Sequence, residues 1–334
     1  MNEPAIKLTT YFSERDRHGG AFVADALFDV YERHRIHTSV LLRGIEGFGR
    51  RSRNTDRSLT LSEALPLAAV AVDQPQRIEW ALTAVREIAR HGVITLERAM
   101  LVDGADVGRL RLDGGRTRMV KLTVYGGRSI RSGRQTGYVQ AVEVLRQCGA
   151  AAASVLLAVG EPAAVTSALP AIAQLIEGSV ATIEQVQLCK SAGTRFAAPD
   201  AIAAQDPSGL PIWQKLMVHA EEQAHYGRHP MYRELIRRLH EAGGAGATVL
   251  RGVRGFYADH DPFFDRVLAV RRNVPVHVVI VDTPEHTRAL WPIVDELTAD
   301  AGIVTSELVP ATHGIASARG APLLELARTP TAPH

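Results

Sequence analysis

Lysine recurs at one position of a repeated stretch, in Lys7-Leu8-Thr9-Thr10-Tyr11, Lys121-Leu122-Thr123-Val124-Tyr125 and Lys215-Leu216-Met217-Val218-His219. Arginine and glycine recur together further on, in Arg43-Gly44-Ile45-Glu46-Gly47-Phe48-Gly49-Arg50 and Arg251-Gly252-Val253-Arg254-Gly255-Phe256. These residue types suit anion recognition: glycine lets a ligand reach backbone N–H groups, and a guanidinium fork matches phosphate oxygens. The first loop adds Arg51, Arg53 and Arg57 around Ser52, Asn54 and Asp56, and reads either as an anion- or partner-binding loop or as a solvated hairpin connection. The second carries Tyr257, Phe263 and Phe264 among Asp259, His260, Asp261 and Asp265, so the two should recognise different things. The three lysines lie opposite the apolar stripe of their strands. There they either form an anion site between copies or pair with neighbouring Glu and Asp.

Catalytic patterns are missing. The chain has no Gly-x-Ser-x-Gly, no Gly-x4-Gly-Lys-Ser/Thr and no His-Glu-x2-His. Cys148 and Cys189 are the only cysteines, far apart, which indicates neither a disulfide framework nor a zinc site and fits a reducing compartment. His225 and His229 are interrupted by Gly227 and followed by Pro230, which argues against a helical metal pair. The expectation is therefore a non-enzyme with no metal. A net charge of +2 with 22% charged residues gives no electrostatic case for nucleic acid. No signal peptide is readable at Met1–Ala5, and Gly149 to Gly160 is about half a membrane-spanning length, so a cytoplasmic location is expected.

Positioning elements follow from the repeat. After each lysine stretch a Gly stands at a fixed offset, at Gly19, Gly133 and Gly227. Val72-Asp73-Gln74-Pro75, Val159-Gly160-Glu161-Pro162 and Val281-Asp282-Thr283-Pro284 each close an apolar run and open a helical pattern. Thr95-Leu96-Glu97, Thr182-Ile183-Glu184 and Thr305-Ser306-Glu307 close each copy. Within a copy, alternation at Ile6, Leu8 and Thr10 predicts a strand, and Phe22 to Val30 has helical spacing. Strands at Thr38–Leu42 and Leu67–Val72, a helix with Ile78, Leu82, Val85 and Ile88, and a strand from Val93 to Leu101 complete the unit. The order β-α-β-β-α-β predicts an α+β fold of three tandem ferredoxin-like repeats. The middle copy is roughly 27 residues shorter between its markers. Its stretch Ser154 to Val159 reads as one strand into which a hairpin and its loop have collapsed. The boundaries expected are copies at 1–104, 119–190 and 212–313, linkers at 105–118 and 191–211, and a mobile tail at 314–334.

The Arg-Gly loops, together with the lysine stretch and the junction ending Thr283-Pro284, resemble the PII-like family called domain of unknown function 190. The resemblance implies ferredoxin-like domains assembled in threes, here a pseudo-trimer from one monomeric chain with the middle copy lacking its loop, the T-loop. It further implies a signalling role: a small anionic ligand, plausibly an adenine nucleotide (ATP, ADP or AMP), bound between copies, and contact with a partner such as a membrane transporter or channel. The ligand residues implied are Arg43, Gly44, Gly47, Phe48, Gly49, Arg50, Arg251, Gly252, Gly255 and Phe256, with Lys7, Lys121 and Lys215. The alternative is a constitutive interaction scaffold with no small ligand, and, less favoured, an enzyme using the clefts.

Overall fold

The computed structural model describes residues 3–49, 65–102, 117–125, 131–132, 135–154, 157–175, 180–199, 212–252, 254–257, 263–264 and 274–313. The first copy runs β1 (Glu3–Ser13), β2 (Arg17–His18), β3 (Ala21–Phe22), α1 (Val23–Arg33), β4 (Thr38–Gly49), β5 (Pro66–Asp73), α2 (Pro75–Ile88) and β6 (Val93–Val102). The middle copy runs β7 (Arg118–Tyr125), β8 (Arg131–Ser132), β9 (Gln135–Thr136), α3 (Gly137–Gln147), β10 (Ala152–Ser154), β11 (Leu157–Gly160), α4 (Pro162–Leu175) and β12 (Val180–Ser191), with β13 (Thr194–Arg195) folded back on β12. The last runs β14 (Ile212–Glu221), β15 (His225–Tyr226), β16 (His229–Pro230), α5 (Met231–Glu241), β17 (Gly246–Arg251), β18 (Arg254–Tyr257), β19 (Phe263–Phe264), β20 (Pro275–Asp282), α6 (Pro284–Leu297) and β21 (Ile303–His313).

Alternation decides which way each strand faces. In β1, Ile6 and Leu8 join a core with Leu27, Val30, Ile78, Leu82 and Val85 of α1 and α2, while Lys7 and Thr9 point to the opposite face. The same division places Val120, Leu122 and Val124 under α3 and α4, and Leu216 and Val218 under α5 and α6. Prolines stand at the first helical positions of α2, α4 and α6, where a missing N–H costs nothing. Asp73 and Asp282 make equivalent bonds, each accepting from a backbone N–H (His37 and Ala245, both 2.7 Å) and so tying the turn before β4 or β17 to the strand beside it.

The expectation of three ferredoxin-like repeats forming a pseudo-trimer is corrected by the strand pairing. The strands do not stop at copy boundaries. One sheet of 15 strands runs through all three stretches, and it closes into a nine-stranded antiparallel barrel. The ring passes β1-β5-β4, crosses to β17-β20-β14-β21, and returns through β12 and β6 to β1. The physical reason is length: β4, β12 and β21 are 11 or 12 residues long and extend beyond their own copies. Their free N–H and C=O groups then pair with strands of another copy, which closes the ring and covers those parts of the strand edges. The stretch read as a single strand at Ser154 to Val159 is also corrected: β10 and β11 are two short strands paired with each other, Ser154 opposite Leu157.

The Arg-Gly stretches make two of these crossings. Gly44–Gly49 pairs with β17, placing Phe48 opposite Ala247, and Gly255–Tyr257 pairs with β10, placing Phe256 opposite Ala153. Phe48 packs on the helix-side core of the last copy, and Phe256, 1% exposed, is part of that of the middle copy. Truncating Phe256→Ala removes a fully enclosed ring, so a loss of about 3–5 kcal/mol is expected in urea titration. Gly255→Ala should also destabilise, because its Cβ would collide with the Ala153 carbonyl oxygen.

Candidate functional site

Register sets each marker lysine directly across the sheet from the marker glutamate of its own copy: Lys7 from Glu97, Lys121 from Glu184 and Lys215 from Glu307. Barrel closure then brings all six together. Lys7 contacts Glu97 at 2.8 Å and Glu184 at 3.0 Å, and Lys121 contacts Glu184 at 2.5 Å and Glu307 at 2.6 Å. Lys215 contacts Glu307 at 3.0 Å and Glu97 at 2.9 Å. Every lysine bridges its own glutamate and that of another copy, so charges alternate around a closed hexagon with no net charge. The lysines are 6%, 0% and 2% exposed. Thr95 and Thr9 donate to Glu97, and Thr182 donates to Glu184.

Burial opposes ionisation of Lys7, Lys215, Glu97 and Glu307, and the partner charges win. Glu184 and Glu97 outweigh desolvation to hold the Lys7 ammonium well above the usual lysine range, and Glu307 and Glu97 raise Lys215. Lys215, Lys7 and Lys121 likewise keep Glu97 well below the ordinary carboxylate range despite its burial, and Lys121 and Lys215 lower Glu307. Three carboxylates this close could hold a cation, but here three ammonium groups already occupy the space between them.

The four-residue step from the lysine carries Tyr11, Tyr125 or His219. His219 Nδ1 lies 3.0 Å from His277 Nδ1, and His277 Nε2 lies 2.7 Å from Ser154 Oγ on β10, a bond between the last copy and the middle one. Both rings border a small cavity with Phe256 and Ala153, about 10 Å³ and so roughly water-sized. Burial lowers the His277 pKa to about 4, and burial with His277 beside it lowers that of His219 well below the usual value.

The Arg-Gly residues are engaged within the chain. Arg43 Nη2 donates to Glu14 at 2.8 Å, and Arg251 pairs with Glu222, the equivalent position. A Cβ at Gly44 would stand 2.7 Å from Pro66, one at Gly47 2.5 Å from the Ala247 carbonyl, and one at Gly252 2.8 Å from Pro275. These glycines and Gly255 admit a neighbouring strand and a proline ring. Gly49 lies opposite Gly246 at the end of that pairing. Arg50, Arg51, Arg53 and Arg57 lie outside the described residues, as do Asp259, His260, Asp261 and Asp265, the stretch 104–116 and the tail. The structure thus gathers the three lysines in one place and divides the Arg-Gly residues between two crossings. Sequence reading did not assign Glu97, Glu184 and Glu307 a partner role. The signal for it was present, since each is the charged member of a marker repeated as often as the lysine.

The profile of the family described as Uncharacterized ACR, DUF190, matches residues 5–101 and 213–311. The chain belongs to this family, with the matches covering the first and last copies and the middle stretch lying between them. Among the described residues no helix is long and apolar enough to cross a membrane.

Glu184→Gln leaves Lys7 and Lys121 short of buried countercharge, and a loss of about 3–5 kcal/mol in urea titration is expected. A buried neutral histidine with a lowered pKa favours the fold fully above about pH 6.5, and that contribution fades as pH falls towards about 4. Glu97 and Glu307 contribute fully above about 4.5 and fail only as pH drops through their lowered values, whereas Lys7 and Lys215 contribute fully below about 10.5 and fail as pH rises through their raised ones. Melting temperature should therefore decline below about pH 6.5, and less steeply in His277→Asn.

Proposed function

We propose that this DUF190 chain is a non-enzymatic interaction scaffold, which binds a protein partner without needing a small anionic ligand to be ordered. One observation carries the reading: among the described residues, the three lysines, Arg43, Arg251 and most of the Arg-Gly glycines are already engaged within the chain. Arg43 and Arg251 meet Glu14 and Glu222, Gly44, Gly47 and Gly252 are closed over by Pro66, Ala247 and Pro275, and the three lysines sit in a neutral ring. An anion entering the ring would have to displace a carboxylate at 2.5 to 3.0 Å from its ammonium and lose its own hydration. A membrane transporter or channel is one partner class this reading accommodates.

Scanning calorimetry with ATP, ADP, AMP and inorganic phosphate at millimolar concentration tests it. A ligand at about 100 times its Kd adds roughly 2.7 kcal/mol to stability. No rise in melting temperature is expected with any of the four. A rise with a nucleotide would replace the scaffold by a ligand-ordered regulator, and turnover of ATP would replace it by an enzyme.

A further inference from the structure

The two crossings described above show how a copy receives a strand from outside, and the first copy has a receiving edge with nothing on it. Thr38–Arg43 of β4 pairs with β5 along one edge, and among the described residues no strand pairs with the other. Its equivalents, Ala247–Leu250 of β17 and Ala153–Ser154 of β10, receive Phe48 and Phe256 with their neighbours. The strand that would complete the series belongs to the middle copy, where β10 and β11 pair directly with each other instead. The consequence shows in exposure: Leu41 is 42% exposed, while Val249, its equivalent, is fully buried.

Side chains around the edge say what kind of strand fits. On α5, Arg233 lies 3.5 Å from Glu46 of the incoming strand, and His240 is stacked edge-on with its Phe48 at 5.0 Å. The paired bonds from His37 to Asp73 and from Ala245 to Asp282 align the copies, which puts Asp25 where Arg233 stands and Glu32 where His240 stands. Both are exposed. The charge at the edge is therefore reversed. The pocket also differs, because Gly244, where a Cβ would stand 3.4 Å from the Phe48 ring, corresponds to Ile36, packed on the core of the first copy. A phenylalanine no longer fits there. We propose that the free edge of β4, Thr38–Arg43, with Asp25 and Glu32 of α1, is the docking site for an extended basic segment of a partner protein. That segment adds as an antiparallel strand, with Lys or Arg at the places of Glu46 and Phe48. The proposal names the partner chemistry of the scaffold and rests on that reading.

The probe is a fluorescent peptide of the Arg43–Gly49 sequence carrying Glu46→Lys and Phe48→Lys, titrated with the full chain and followed by anisotropy. Saturable binding below about 1 mM is expected, at least about tenfold weaker for the unsubstituted peptide and for the chain with Asp25→Lys and Glu32→Lys. A peptide of equal charge that also carries Gly47→Pro should lose binding, since Gly47 pairs within the ladder and leaves no room for a side chain against the facing backbone. Glu32→Lys alone, outside the first turn of α1, should also weaken binding, and it keeps the test decisive if the double variant melts early. The proposal is overturned by no saturable binding, by equal binding to the reversed-charge chain, or by equal binding of the proline peptide. It is overturned too by a dimer of the free chain in light scattering that Leu41→Lys abolishes, which would give the edge to a second copy. Stabilisation by nucleotide would sink the scaffold reading while leaving these peptide outcomes interpretable on their own.

Discussion

Six charges in a closed ring are the constraint to which the rest of the barrel must conform. Each lysine faces its own glutamate across one pair of strands and a second glutamate across a copy boundary, so the ring exists only when all three stretches are in register at once. A slip of one residue in β1 would turn Lys7 into the apolar core beneath α1 and α2 and bring Ile6 or Leu8 to face carboxylates. Both halves of that exchange are costly, because an unpaired buried charge and an exposed apolar side chain are penalised together. Net stability from the ring itself need not be large, since desolvating six ions offsets much of their attraction. Its stronger effect is to make wrong registers unfavourable. That suits a sheet whose strands have many antiparallel neighbours to choose from.

Around this centre the Arg-Gly stretches act as fasteners. Pairing alone would not bring β4 close enough to β17, because any side chain at Gly47 would meet the Ala247 carbonyl and the Pro66 ring. With the glycines in place the backbones approach, and Phe48 and Phe256 can reach helix-side cores that are not their own. The arginines at the start of each stretch are held by Glu14 and Glu222 on the surface, where an ion pair contributes little energy but fixes direction. Residue types that recognise phosphate elsewhere serve here to dock one strand of the chain on another.

This explains which parts of the molecule could be read in advance. Strand and helix positions followed from alternation and from the proline and glycine punctuation, because local periodicity reports which face a side chain takes. Edges are different. Nothing in the order of Gly44 or Gly255 says which strand lies opposite, since Ala247 and Ala153 are more than a hundred residues away in sequence and enter only through closure of the barrel. The lysines were recognised as central, while the neutrality of the ring they form depended on Glu97, Glu184 and Glu307 being aligned with them by pairing rather than by proximity in sequence. In the middle copy the apolar stretch from Ser154 carried no signal that β10 and β11 would pair with each other, because Ser154-Val155-Leu156-Leu157 holds no Gly, Pro, Asn or Asp to mark a turn.

The loss of one crossing has left its mark on the copy that would have received it. A phenylalanine slot with no phenylalanine is a cavity, and an enclosed cavity costs stability in proportion to its volume. Two answers are available: fill the slot from within, or leave it for an outside group. The chain has done the first at the pocket, with Ile36 in the place of Gly244 and Ala150, even though Arg35 before it must take the positive φ that Gly243 and Gly149 adopt without strain. It has not done so along the strand, where Leu41 remains exposed and the ladder of β4 stays unpaired on one side among the described residues. Burying a side chain needs only one substitution, whereas satisfying a row of backbone groups needs a second strand. A chain under pressure for stability alone would be expected to blunt that edge with proline or an inward charge. Thr38-Ser39-Val40-Leu41-Leu42 contains neither, and retains full capacity to pair.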